Sequence, residues 1–217
     1  MDRGKLLLVG AGGHCHSVLD SIDRSVYTDI AIVDIPDKIG QLIYDIPIVG
    51  SDADIKQLYL QGYRQGFITL GSVGSPQKRI GICNSMKVMG FSFPVIIDPT
   101  AIVSFNGTVI EEGVFIGKGA IVNTGVELGM CSIINSGAVI DHDTKIGEFV
   151  HVSPGVSLSG SVIIGDYSHV GTGSSVIHRI EIGKNTTIGA GSVVVRNIPE
   201  NVIAFGNPCK IRQEREK

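Results

Sequence analysis

The sequence lacks the features that mark membrane, secreted and nucleic-acid-binding proteins. No apolar run in its 217 residues approaches the roughly 18 residues of a membrane span, although mean hydropathy is +0.28. Residues 1–9 contain no signal-peptide pattern. The net charge of −3 excludes a basic nucleic-acid footprint, and four irregularly spaced cysteines favour free thiols in a reducing compartment. These absences predict a soluble, cytoplasmic protein.

What the chain does contain is a repeat. Residues 108–197 form fifteen hexads in which the third residue is always aliphatic, from Ile110 to Val194, and the first is small or β-branched. Strand side chains alternate in direction, so positions one and three point to one side and position two to the other. Glycine is common at position four, where the chain is expected to bend. A helix cannot keep a six-residue repeat on one face, so the pattern predicts a solenoid of short strands with an aliphatic interior.

Three hexads per triangular coil would stack residues that lie three hexads apart, so the outward second positions form three columns. One column is mixed and charged, and two are apolar or small, which is typical of contact surfaces and suggests a closed trimer. The mixed, charged column consists of Val109, Glu127, Lys145, Ile163 and Glu181. The second column consists of Ile121, Val139, Ser157, Ser175 and Val193. The third column consists of Phe115, Ile133, His151, His169 and Thr187.

Residues 1–99 have a different pattern from the repeat. Strand-like runs at 6–9, 30–33 and 66–70 alternate with helical stretches, two of them at 55–60 and 78–89. This alternation predicts a small Rossmann-like α/β domain with a parallel sheet. We therefore expect two domains, 1–99 and 100–217.

A glycine-rich turn separates the first strand from the first helix of this domain. Gly10, Gly12, Gly13 and His14 would let backbone N–H groups approach a phosphate at the helix N-terminus. Cys15 stands where the dinucleotide fingerprint needs a third glycine, which argues against a nicotinamide cofactor. The alternative is a tight turn that binds no ligand.

Two further segments favour a ligand. Asp34 ends the second strand, where a carboxylate can accept a ribose hydroxyl. A second glycine loop, which includes Gly71 and Ser72, follows another strand and would open at the same sheet edge. We expect this domain to bind a small molecule that carries a nucleotide.

His142 lies between two carboxylates, Asp141 and Asp143, at a predicted corner of the solenoid. A neighbouring carboxylate raises the basicity of an imidazole and fixes its tautomer, as a general base requires. The alternative is a solvated turn histidine. His151 lies on a different side of the prism, so we expect the two histidines to approach each other only across a subunit interface.

Metal binding is not predicted. His142 and His178 share a corner two coils apart, but the solenoid carbonic anhydrases also need two histidines five residues apart, and Gly183 stands at that spacing. His169, above His151 in its column, is expected to be a packing residue or to make a minor contact.

Four segments together resemble a known family: residues 9–14 (VGAGGH), 135–142 (NSGAVIDH), 146–153 (IGEFVHVS) and 206–212 (GNPCKIR). The repeat resembles hexapeptide acyltransferases, which are left-handed β-helices whose trimers bind acetyl-coenzyme A between neighbouring helices. The whole chain resembles, more narrowly, the NeuD/PglD family of sugar acetyltransferases.

The resemblance implies roles for individual residues. His142 would be the general base and Asp143 its acidic partner, at a position where family members often carry Glu. The acetyl-coenzyme A cleft would be lined by Asn135 and His151, and backbone N–H groups at Gly155 or Gly173 would hold the thioester oxygen and pantetheine.

The resemblance also implies the substrate class: the amine of a UDP-linked 4-amino-4,6-dideoxy sugar used for bacterial surface glycans. Ile35 stands where some uridine-specific members carry a second acidic residue, so uracil recognition stays open. The alternatives are O-acetylation of sialic acid, acyl transfer to a free amino acid, a metal-dependent hydratase and a non-catalytic scaffold.

Overall fold

The computed structural model describes residues 4–72 and 74–215. The chain divides into two compact units: Met1–Gly71 with Gln77–Pro94, and Ser72–Pro76 with Val95–Lys217. Among the described residues, no helix has the length and apolar character needed to cross a bilayer.

The first unit is a five-stranded sheet with helices. The strand order is β3-β4-β2-β1-β5, parallel except for the β3–β4 hairpin. Strand β1 pairs with β2 on one side and with β5 on the other, and its last four residues are buried. In chain order the elements are β1 (Gly4–Val9), α1 (Gly13–Ser21), β2 (Tyr27–Val33), β3 (Leu42–Ile43), β4 (Ile46–Gly50), α2 (Ile55–Leu60), β5 (Tyr63–Ile68) and α3 (Gln77–Met89), with single 3₁₀ turns at Arg24–Val26, Pro36–Lys38 and Asp52–Asp54.

The small α/β domain predicted from sequence is confirmed, with differences in the bounds of some elements and one additional hairpin. β5 spans Tyr63–Ile68 rather than 66–70, although Thr69 still donates its N–H to the carbonyl of Val9 just past the end of the strand. The β3–β4 hairpin was not predicted. Its strands are short, and β4 contains Pro47, a residue type that within sheets is largely confined to edge strands, strand starts and bulges.

The second unit is a solenoid with three parallel sheets. Each two-residue strand of the repeat pairs with the strand three hexads further on, so Ile133, His151 and His169 are direct neighbours. The first and third hexad positions face the interior and are buried almost throughout, which confirms the predicted aliphatic stack. The strands are β6 (Ile96–Ile97), β7 (Ile102–Val103), β8 (Val109–Ile110), β9 (Phe115–Ile116), β10 (Ile121–Val122), β11 (Glu127–Leu128), β12 (Ile133–Ile134), β13 (Val139–Ile140), β14 (Lys145–Ile146), β15 (His151–Val152), β16 (Ser157–Leu158), β17 (Ile163–Ile164), β18 (His169–Val170), β19 (Ser175–Val176), β20 (Glu181–Ile182), β21 (Thr187–Ile188), β22 (Val193–Val194), β23 (Val202–Phe205) and β24 (Lys210–Glu214).

The turn between hexads is made at position six, not at position four as the sequence pattern suggested. Position six has a positive φ in glycines such as Gly137 and in side-chain-bearing residues such as Asp143. The glycines at position four have another reason, which is the close approach of successive coils. A methyl group on Gly165 would lie 2.5 Å from the backbone nitrogen of Lys184.

The solenoid extends beyond the repeat at both ends. Ile102 pairs with Ile121, whereas an unbroken repeat would pair it with Ala120, because one extra residue lies in the turn at 104–107. This insertion hides the first coil from a six-residue pattern. At the other end β23 joins the sheet of β21, and β24 folds back antiparallel on β23.

Candidate active site

His142 lies at the fifth position of its hexad, on the corner between β13 and β14. Its Nδ1 lies 2.8 Å from Asp143 Oδ2, and its backbone N–H donates to Asp141 Oδ1. Asp141 is fixed in turn by Asn123, whose amide Nδ2 donates to Oδ1 at 2.8 Å. The two carboxylates predicted to flank the imidazole therefore both contact His142, one through its ring and one through its backbone.

This geometry favours a basic imidazole that is open to a substrate. The hydrogen bond to Asp143 and the charge of Asp141 raise the pKa of His142 above its usual value. Because Nδ1 is hydrogen-bonded to Asp143, Nε2 carries the free lone pair in the neutral ring. The His142 side chain is 54% exposed, so a substrate proton can reach it.

Gly160, one coil further along, packs directly against the imidazole. A methyl group at this position would lie 2.5 Å from His142 Nε2 and 2.6 Å from Cε1. The ring can occupy its place only because residue 160 has no side chain. Sequence analysis missed this contact, although a spacing of exactly one coil from His142 points to it.

Asn135 and His151, the two residues expected to line the acetyl-coenzyme A cleft, contact each other. Asn135 Nδ2 lies 3.2 Å from His151 Nε2, and His151 Nδ1 donates to the carbonyl of Ser72 at 2.8 Å. These two bonds assign the proton of the neutral ring to Nδ1. His151 stacks on His169 with ring centroids 5.0 Å apart.

His169 and Arg215 hold the loop at residues 72–76 on the solenoid. The N–H of Gly74 donates to His169 Nδ1, and His169 Nε2 bonds the hydroxyl of Ser153 at 2.7 Å. Arg215 donates to the carbonyl of Gly74 and to Thr187 Oγ1. Burial, followed by the charge of Arg215, lowers the pKa of His169 and so favours the neutral ring that accepts from Gly74.

One of the two predicted contact faces is not exposed. Phe115 and Ile133 are each 1% exposed and His151 is 8% exposed within the single chain. The expectation of two apolar outward faces is therefore wrong for this column, because it is covered within the chain. The other apolar column stays at least partly accessible: Ile121, Val139 and Val193 are half-buried, and Ser157 and Ser175 are exposed.

The N–H groups of Gly155 and Gly173 do not point outward as the resemblance implied. They donate to the carbonyls of Ser136 and Pro154 in the coil before, each at 3.0 Å, so they are not available to a thioester oxygen. Both glycines nevertheless belong to an open corner. Every sixth-position residue of this corner is glycine with free space where a side chain would be: Gly119, Gly137, Gly155, Gly173 and Gly191.

None of the four cysteines has the environment of an activated nucleophile. Cys15, Cys83 and Cys131 are buried. Burial raises the pKa of Cys15 to about 11 and also raises the pKa of Cys209. Since the thiolate is the reactive form, these environments disfavour covalent catalysis through cysteine.

The first unit has a cavity of about 260 Å³ at the carboxyl ends of its strands. Of the residues predicted to bind the nucleotide, Gly10 and Asp34 line it. Its wall also contains residues that sequence analysis did not select: Val9, Ile35, Pro36, Ser51, Asp52, Ala53, Leu70 and Lys78.

Asp34 is held by its own unit. Its carboxylate accepts the N–H groups of Ala11 and Ile35 and lies 3.3 Å from Lys38 Nζ. Desolvation alone would raise the pKa of Asp34, but these hydrogen bonds together hold the pKa below its usual value. Asp34 is therefore ionised, and its carboxylate links the glycine-rich turn to the end of β2.

The remaining predicted residues lie outside the cavity wall. Gly12 is the N-cap of α1, Gly13 is its first residue and His14 follows in the first turn. Gly71 lies beside His14, since a methyl group on Gly71 would contact His14 Cβ at 4.0 Å. Ser72 belongs to the second unit, where its carbonyl binds His151.

Within residues 4–72 and 74–215, no group of three or more His, Cys, Asp or Glu is arranged to hold a metal ion. His178, the second histidine of the His142 corner, therefore belongs to no such cluster in the described part of the chain.

Two family models match parts of this chain. Residues 5–86 match the family model described as the PglD N-terminal domain, and residues 107–142 and 163–196 match the model described as bacterial transferase hexapeptide (six repeats). No curated protein sequence gave a significant match.

Two solved structures are similar over nearly the full length. PerB from Caulobacter crescentus, in complex with CoA and GDP-perosamine, is 35% identical with a TM-score of 0.89, covering 97% of this chain and 98% of that one. The acetyltransferase domain of PglB from Neisseria gonorrhoeae, in complex with acetyl coenzyme A, is 32% identical with a TM-score of 0.88, covering 98% and 100%. WeeI from Acinetobacter baumannii, 20% identical with a TM-score of 0.84 and covering 95% and 99%, shares the fold.

The three parallel sheets and the hexad repeat define the second unit as a left-handed β-helix of the hexapeptide acyltransferase class. The chain belongs to the NeuD/PglD-type family of sugar acetyltransferases, as its residues 9–14, 135–142, 146–153 and 206–212 suggested.

Proposed function

We propose that this protein transfers the acetyl group of acetyl-coenzyme A to the amine of a nucleotide-linked amino sugar. The observation that carries the proposal is the His142–Asp143 pair, a basic imidazole on an exposed corner in a chain of this family. Support for the two substrates comes from PerB, whose structure contains CoA and GDP-perosamine, and from PglB, whose structure contains acetyl coenzyme A.

The reaction needs no covalent enzyme intermediate. His142 Nε2 accepts a proton as the sugar amine attacks the thioester carbonyl, and Asp143 stabilises the imidazolium through Nδ1. The tetrahedral intermediate then collapses with cleavage of the C–S bond, and the His142 imidazolium returns its proton to the thiolate, so coenzyme A leaves as the thiol and His142 is neutral again. The protein supplies position and basicity, which suit direct acyl transfer.

The acetyl donor is proposed to lie along the open glycine corner. At Gly155 and Gly173 the absence of side chains allows an extended chain such as pantetheine to approach the backbone closely. Asn135 and His151 lie on the sheet that adjoins the glycine corner. We therefore propose that both line the cleft, although their side chains already contact each other.

The catalytic assembly is proposed to be a homotrimer. The small, half-exposed face of β10, β13, β16, β19 and β22 lies between the corner of His142 and the glycine corner. If three such faces meet around a threefold axis, the His142 corner of one subunit adjoins the glycine corner of the next. This arrangement would bring His142 and the partner subunit's cleft together.

The first unit would hold the nucleotide through its cavity and the turn at Gly10, Gly12, Gly13 and His14. The proposed acceptor is a 4-amino-4,6-dideoxy sugar made in the cytoplasm for a bacterial surface glycan. The family resemblance alone implies UDP as its nucleotide, whereas the similar structure PerB contains GDP-perosamine. O-acetylation of sialic acid is the second candidate, because a hydroxyl also needs a base such as His142.

The test is acetyl transfer by the purified protein, followed as release of free thiol from acetyl-coenzyme A. Amino sugars linked to UDP or GDP should accept the acetyl group, and His142→Ala should abolish release. Release with sialic acids alone would move the protein to O-acetylation. Absence of release with every sugar would contradict the proposal.

A further inference from the structure

The cavity of the first unit is shaped for part of a ligand rather than for a whole nucleotide sugar. Its volume of about 260 Å³ is below the roughly 300–1,000 Å³ of complete small-molecule sites. Five of its ten lining residues have apolar side chains, against which a flat ring can pack. These apolar residues are Val9, Ile35, Pro36, Ala53 and Leu70.

The charged groups at and near this cavity differ in whether they already have hydrogen-bond or ion-pair partners within the protein. Asp34 is committed to Ala11, Ile35 and Lys38. Asp54, near the cavity, is committed to Ser51, whose backbone N–H and hydroxyl both donate to Asp54 Oδ2.

Asp52 and Lys78 are different. Both line the cavity, both are exposed, and neither has a hydrogen bond or ion pair elsewhere within residues 4–72 and 74–215. The cavity therefore offers a ligand one carboxylate and one ammonium group beside apolar walls.

A carboxylate distinguishes nucleobases by their hydrogen-bond edges. Guanine presents two parallel donors, N1–H and the N2 amine, which match the two oxygens of a carboxylate. Uracil presents a single N–H between two carbonyl oxygens, and a carboxylate placed there would be repelled by both. The apolar Ile35 adds no donor that would favour uracil.

Resting on the proposed function, we propose that this cavity binds the guanine of a GDP-linked amino sugar and that Asp52 selects guanine over uracil. The apolar walls pack on the faces of the ring, and the Asp52 carboxylate accepts from N1–H and the N2 amine. Lys78 offers its ammonium group to acceptor oxygens of the same ligand.

Equilibrium binding of GDP, IDP and UDP to the full-length protein tests the proposal. GDP should bind at least 10-fold more tightly than UDP, and IDP should be intermediate because it lacks the N2 amine. Asp52→Asn should weaken GDP at least 10-fold and leave UDP unchanged. The matched control is Asp37→Asn, an exposed carboxylate in the neighbouring Pro36–Lys38 turn that does not line the cavity.

Equal affinities for GDP and UDP, or tighter binding of UDP, would overturn the inference. So would an Asp52→Asn variant that loses all three nucleotides equally. Acetyl transfer separates this failure from failure of the proposed function. Transfer to UDP-linked amino sugars in preference to GDP-linked ones would refute guanine selection and leave the acetyltransferase intact. Selective GDP binding without transfer to any amino sugar would support guanine selection and refute the acetyltransferase.

Discussion

Asp143 combines two roles in one residue, a turn and a partner for the base. Position six of the hexad requires the left-handed backbone region, and Asp143 has a φ of 58° there. Aspartate tolerates this region better than most residues that carry side chains. Placing a carboxylate at the turn position brings it beside the imidazole of the preceding residue, His142.

The first prediction concerns the pH dependence of this pair. His142 must be neutral to act as a base, and Asp143 raises its pKa, so activity should rise through a pH above the roughly 6.5 of an unperturbed histidine. Asp143→Asn should move this acidic limb to lower pH and lower the maximal rate. The measurement is kcat/KM against pH, and an unmoved limb would contradict the assignment.

The second prediction concerns Gly160 as a positioning residue. Gly160→Ala should push the His142 ring from its place and lower kcat by about 10- to 100-fold, since small misplacements are costly in catalysis. The limb of the pH profile should also shift toward lower pH, because a displaced ring loses Asp143. Gly81→Ala is the control, since it introduces a methyl group into open space on α3. Equal activity of the two variants would exclude the positioning role.

Individual residues differed in how visible they were in the sequence. His142 and Asp143 could be selected because they are adjacent and charged. Gly160 lies a full coil beyond His142 in the chain, so its contact with the His142 ring becomes evident only when the coils are stacked. Asp52 follows β4, part of a hairpin that the sequence did not reveal, so its place at the cavity could not be predicted.

At the scale of elements, the second unit is held together by columns of side chains as well as by its core. His151 and His169, two members of one outward column, together with Arg215 after β24, anchor Ser72 and Gly74. The sequence suggested a contact surface here because outward positions were counted from the repeat alone. It could not show that a segment from far earlier in the chain covers them.

The third prediction concerns this anchor. His169→Phe removes the acceptor for the Gly74 N–H, so the Gly74 amide should exchange faster with solvent and stability should fall by about 1 kcal/mol. Ile163→Val, at an exposed strand position on the mixed, charged face, should change neither. The measurement is hydrogen exchange at neutral pH, where His169 is uncharged because burial lowers its pKa. Unchanged exchange at Gly74 would show that the loop does not depend on His169.

The strands of the solenoid were the most predictable elements. The third-position aliphatics fix both the period and the inward face, so the register from β8 to β22 follows directly from the sequence. The coil before residue 108 escaped because one extra residue at 104–107 breaks the period. In the first unit, β2 begins at Tyr27, earlier than the predicted start at 30, because its first residues are not apolar enough to mark a strand.

At the scale of the whole molecule, activity is expected to depend on assembly. Val139→Asp on the half-exposed face of β13 should prevent trimer formation and abolish acetyl transfer with His142 intact. Ile163→Asp is the control, because Ile163 is 43% exposed on the mixed, charged face. The measurements are mass in solution and rate of thiol release. An active monomer would refute the proposed cleft between subunits.

The measurement that tests the central claim most directly is thiol release from acetyl-coenzyme A with GDP- and UDP-linked 4-amino sugars, comparing the wild-type protein with His142→Ala. Rapid release is expected with a nucleotide-linked amino sugar, and a loss of at least 100-fold is expected in the variant, because a general base contributes roughly 10²–10⁴-fold to the rate. Unchanged release by His142→Ala, or no release with any amino sugar, would contradict it.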